Sequence, residues 1–227
     1  MTRIFSSLAV LAVTLLAANL IVGLSIGDFN EAAVRLRAAQ READRHQLIR
    51  PRNDDSEAVA ARERVVQVSE EIRPMRRRAS FHKVFGIASA LLTMLVNSVA
   101  ITYFVGTSRW CLEVSEAYRL DLRRVELCRR LKRHTFASAL ISMLTMVLLS
   151  GLGAAADPGN SQSGGEFWVL MHLSAALGGA IVVTGIFWFQ TGKVRANYAL
   201  IQQIMDDVRQ IRDNHGLDRP ASERALQ

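Results

Sequence analysis

An all-α membrane protein is the fold class this sequence predicts, and three observations predict it. Apolar residues gather into four blocks, charged residues fill the intervals between them, and each block has the length of a membrane crossing. The architecture expected is a four-span transmembrane helix bundle. It carries a coiled-coil-like helical hairpin outside the membrane and charged helical extensions on the opposite face. A hydrocarbon layer of roughly 30 Å needs about 20 apolar residues at ~1.5 Å each. Residues 4–26, 84–105, 136–156 and 167–189 meet that length without an Asp, Glu, Lys or Arg.

Residues 1–27 form the first expected span. Its apolar run exceeds the core of about 7–15 residues found in secretion signals, so it is read as a retained anchor. Residues 28–80 read as the hairpin. Asp28 is placed to cap a helix running to about Arg50, and Pro51 with Asn53, Asp54, Asp55 and Ser56 supplies the turn. The returning arm has small or apolar residues at Ala58, Ala61, Val65, Val68, Ile72 and Met75, alternating three and four apart as in a coiled-coil seam. Phe29, Ala32, Leu36, Ala39 and Ala43 give the first arm a matching seam, and Pro74 is expected to end the second arm near the bilayer.

Residues 81–106 form the second span, and 107–134 a charged amphipathic helix with Cys111, Val114, Tyr118, Leu122 and Val125 on one face. On one such helix, Cys111 and Cys128 would lie roughly 25 Å apart, so two unpaired thiols are expected. Residues 135–156 form the third span, 157–166 a short polar loop, and 167–191 the fourth span. The helix expected over 192–216 carries a seam of Val194, Asn197, Ile201, Ile204, Val208 and Ile211, with Gly216 to stop it and a disordered tail over 217–227.

Orientation follows the basic residues. Residues 106–135 hold eight Lys or Arg and the tail after the fourth span six, whereas 157–166 holds none. Both termini are therefore expected in the cytoplasm, and the Arg-rich composition points to a bacterial plasma membrane. The thirteen basic residues between Gly27 and Val84 run against this assignment, although long loops escape the rule. The net charge of +7 would suggest nucleic acid in a soluble protein; here it fits anionic lipid, and no nucleic-acid partner is expected.

No phosphate-binding glycine loop, nucleophile elbow or His-Glu-x-x-His motif occurs, and the spans lack the ionisable pairs of an ion-coupled carrier. Within the spans, Ser89, Thr93 and Asn97 share a face, as do Ser138, Ser142 and Thr145. Ser174 with Gly178 and Ala175 with Gly179 are small pairs suited to close helix approach.

His82 and His172 stand out because both begin spans entering from the same side, and two imidazoles on neighbouring helices can ligate haem b. Arg76, Arg77, Arg78 and Lys83 could meet its propionates. The leading expectation is nonetheless a non-enzymatic subunit or scaffold. It would bind a partner, or itself, through the seams at Ala58, Ala61, Val65, Val68 and Ile72 and at Ile201, Ile204, Val208 and Ile211. A b-type cytochrome is the alternative, and a transporter or channel for a neutral solute follows it.

Overall fold

The computed structural model describes residues 1–49, 56–159 and 165–215, and these are helical almost throughout. The expected turn at 51–55, the stop at Gly216 and the tail over 217–227 lie outside the described residues. Among the described residues five helices follow one another: α1 (Thr2–Leu24), α2 (Phe29–Ile49), α3 (Ser56–Ala117), α4 (Leu122–Ala156) and α5 (Glu166–Asn214). All but α2 are long and apolar enough to cross a membrane, which makes this a helical membrane protein. Their outward faces agree. Val10, Ile21, Ile87, Leu91, Leu148 and Ile181 are each at least 60 % exposed, and aliphatic surface of that extent is stable against lipid, not water.

Contacts divide the chain into two compact units, one of Ala12–Leu91 and Thr145–Ile181, the other of Met1–Leu11, Leu92–Leu144 and Val182–Gln227. In the first, α2 packs on the N-terminal arm of α3. Ala32, Leu36 and Ile72 are buried together, with Phe29, Val65, Val68 and Met75 against them. Full burial of a Leu or Ile side chain is worth about 1.5–3 kcal/mol, and small Ala39, Ala58 and Ala61, also buried, keep the arms close. The Arg64–Glu42 ion pair adds little, since both groups are largely exposed. Asp28 does open α2, its carbonyl accepting from the Ala32 N–H at 3.1 Å.

Pro74 does not end the second arm; α3 continues through it for 62 residues. Proline deletes the hydrogen bond to the Glu70 carbonyl and crowds it. Ile72 and Met75, either side of Pro74, are nevertheless packed in the hairpin core, and the helix is not interrupted.

In the second unit the expected charged helix over 107–134 is instead two helices joined by a tight turn. The Leu120 N–H reaches the Ser115 carbonyl at 2.9 Å and the Arg119 N–H the Glu116 carbonyl at 3.4 Å, the paired bonds of a Schellman stop. Arg119 takes the left-handed position that glycine usually fills, with φ 52°. Asp121 then caps α4 through Oδ1, which accepts from the Arg123 N–H at 2.8 Å. Leu122 ends up exposed, away from the face it was expected to share with Cys111.

The cost of a non-glycine residue at that position should be recoverable. Arg119→Gly is expected to stabilise the protein by about 0.5–1 kcal/mol, offset in part by greater chain entropy when unfolded. Asp121→Ala should destabilise it by about 1 kcal/mol. Reversible unfolding in mixed micelles measures both, and the two changes should have opposite signs.

Candidate functional site: a paired-histidine site

Within the first unit, α3 and α5 bring His82 and His172 together. Their ring centres lie 6.1 Å apart, with the planes at 76°. Each imidazole is backed in the same way by a different helix. His82 Nδ1 is 3.1 Å from the carbonyl oxygen of Asn19 on α1. One turn along α1, a Cβ added to Gly23 would sit 2.8 Å from His82 Cε1. On the other side, His172 Nδ1 is buried without a formed hydrogen bond. The Leu149 carbonyl on α4 lies near this ring. One turn further along α4, a Cβ on Gly153 would meet His172 Cε1 at 3.0 Å.

Each imidazole is thus packed on a glycine of a neighbouring helix, and at His82 the carbonyl four residues before that glycine also accepts the ring N–H. A carbonyl on Nδ1 selects the tautomer that keeps Nε2 as a lone-pair donor and fixes the ring about its bonds, as is usual behind metal-binding imidazoles. The glycines let the backing helices approach the rings directly. Neither residue of the carbonyl–glycine pairs was recognised in the sequence. The four-residue spacing is too common in apolar helices to carry a signal until the imidazole facing it is known.

The basic residues expected near the histidines have contacts of their own. Arg78 donates to the Ser25 carbonyl at 2.9 Å, Arg77 lies over the Phe81 ring, and Lys83 pairs with Asp157. Burial raises the carboxyl pKa of Asp157, but Lys83 and the Gly159 N–H outweigh it and hold the group below its ordinary value. Arg37 on α2 donates to the Pro158 carbonyl.

Polar span residues elsewhere join helices. Gly179 packs against Thr145 and Leu149 of α4, whereas Gly178 faces open space and Ser174 is exposed, so only the Ala175–Gly179 pair lies at a contact. In the second unit, Asn97 Nδ2 donates to the Thr93 carbonyl at 2.8 Å and to Ser142 Oγ at 3.0 Å. Gln190 Nε2 donates to Asn97 Oδ1 at 3.0 Å and to Ser138 Oγ at 3.3 Å. Gln190 lies one residue past the apolar run of the fourth block, which is why the sequence did not mark it. Asn197, the polar residue of the seam expected over 192–216, donates to Thr107 Oγ1 at 3.0 Å.

The close backing of the rings predicts a steric effect. Gly23→Ala and Gly153→Ala should each destabilise the protein by about 1–3 kcal/mol through overpacking. Gly178→Ala, facing open space, should be near neutral. Unfolding midpoints of the three variants in one detergent check the contrast.

The sequence matches no family model, and no curated protein or solved structure aligns with it significantly.

Proposed function

We propose that this protein is a small b-type cytochrome, a multi-pass carrier of electrons that holds one haem between His82 and His172. The observation that carries the reading is the 6.1 Å separation of the two ring centres. Two imidazoles this close on neighbouring helices are a donor pair that could hold a haem iron.

Haem fits this donor set better than a bare ion. A structural zinc asks for four protein ligands, and among the described residues no group of three His, Cys, Asp or Glu is assembled. Two neutral imidazoles are a donor set that would hold haem, whose iron would supply a one-electron couple. The chain's own contribution is positional. The Asn19 carbonyl orients the His82 ring, and Gly23 and Gly153 admit the backing helices. The excess of basic residues in 106–135 and in the tail, against none in 157–166, supports cytoplasmic termini in a bacterial plasma membrane. In that orientation the histidine pair lies toward the outer face.

The test is an absorption spectrum of protein produced with ample haem and purified in mild detergent, oxidised and then reduced. A Soret band with a reducible α-band is expected, lost in His82→Ala and in His172→Ala. A colourless preparation, with both variants indistinguishable from the parent, overturns the reading.

A second reading keeps the helical extensions as docking arms of a scaffold. The seams are largely turned toward the chain's own helices: Ala58, Ala61, Ile72 and Ile204 are buried. The observation in its favour is therefore the opposite face of the hairpin, where Val34, Leu48, Val59 and Val66 are all exposed. Deletion of residues 28–72, or of everything after 192, should then dissolve a complex isolated in mild detergent. Survival of the complex in both deletions ends this reading.

A further inference from the structure

Cys111 and Cys128 were expected to stand far apart on one helix. The Arg119 turn instead folds α4 back beside α3 and brings their sulfurs to 2.7 Å, with Cys128 donating to Cys111. Both side chains are buried, in a cluster completed by Leu200 and Ile204 of α5 with Trp110, Val114, Leu120, Leu131 and Ile201 around it. Both are free thiols.

We infer that Cys111 and Cys128 form a redox-active dithiol that closes to an intramolecular disulfide by exchange with a small-molecule or protein disulfide. The inference is independent of the haem reading and concerns a different part of the chain. The sulfurs need to move by less than about 1 Å to reach the disulfide bond length of about 2.05 Å, so little of the surrounding packing has to change.

The direction of the hydrogen bond assigns the roles. Cys111 accepts from the Cys128 thiol, which holds the Cys111 pKa below the ordinary thiol value against the opposing effect of burial. The same hydrogen bond, reinforced by burial, pushes Cys128 well above it. Cys111 is thus the attacking thiolate. It forms a bond to one sulfur of the incoming disulfide and expels the other as a thiolate, which takes up a proton. Cys128 then loses its proton to solvent and attacks the Cys111 sulfur, forming the Cys111–Cys128 bond and releasing the second thiolate. Two protein thiols are oxidised, and one external disulfide is reduced to two thiols.

Access is through the turn. Arg124 on the first turn of α4 pairs with Asp207 and donates to the Gln203 carbonyl at 3.0 Å, so α5 holds the turn shut. Exchange therefore waits for a local opening, and loosening this clasp should speed it.

The experiment uses full-length protein in mild detergent, equilibrated in glutathione buffers of graded poise. Samples are quenched with acid, denatured and labelled with a maleimide of high mass. The expected result is simultaneous loss of both labelling sites in a single two-electron transition, with the intact mass lower by two hydrogen atoms. In Cys128→Ser the resolving thiol is gone, and the glutathione adduct on Cys111 should accumulate roughly tenfold over the parent. In Cys111→Ser, Cys128 should stay unmodified under the same conditions. Arg124→Ala should accelerate oxidation of the parent pair severalfold without moving its midpoint. Both thiols still labelled at the most oxidising poise overturn the inference, provided the denatured chain is oxidised there. Disulfides between chains, or equal adduct formation in both serine variants, overturn it as well.

Discussion

Hydrocarbon cannot solvate a polar group, and this constraint organises the interior of the molecule. Each amide, hydroxyl or imidazole in a span must find a partner within the protein or remain unsatisfied at a cost of several kcal/mol. Asn97, Ser142, Ser138 and Gln190 bond to one another across three helices, which leaves Gln190 Oε1 without a partner. His82 meets the requirement through the Asn19 carbonyl. Such contacts carry the directional information that aliphatic packing lacks, because lipid tails solvate Leu and Val as well as another helix does. Helix–helix register in this protein is therefore a property of a few polar side chains and of the glycines that let backbones approach them.

The four helices long and apolar enough to cross a membrane were legible in the sequence, because the requirement that generates them is a sum over about twenty residues and tolerates exceptions. The hairpin was legible for a related reason: alternating spacings of three and four along both arms leave one stripe to bury, and Ala32, Leu36 and Ile72 bury it. Single positions were harder. Pro74 reads as a stop when considered alone, yet its neighbours Ile72 and Met75 are held from the side and the helix persists. The Arg119 turn was hidden because its left-handed residue is not glycine. The sequence clue was Asp121, a good capping residue inside a segment otherwise read as uninterrupted helix.

His82 and His172 were singled out from their positions at the starts of two spans, and the fold brings them together. What sequence could not supply was the backing of the rings. Asn19 with Gly23 and Leu149 with Gly153 lie far along the chain from the histidines they face, and nothing in their local context separates them from other small and apolar span residues. The cysteines show the reverse: an inference drawn from assumed helix continuity failed once a four-residue turn intervened.

The continuity of α3 has a consequence for how the chain can change. A single helix holds Ile72 in the hairpin cluster and His82 against Asn19 and His172, so the directions of the two side chains around its axis are locked in phase. Adding or removing one residue between them would rotate one against the other by about 100° and slide it by ~1.5 Å. Insertions that preserve the phase come in steps of about 7 or 11 residues. Among descendants of this sequence, the stretch between Ile72 and His82 should therefore vary in composition far more freely than in length.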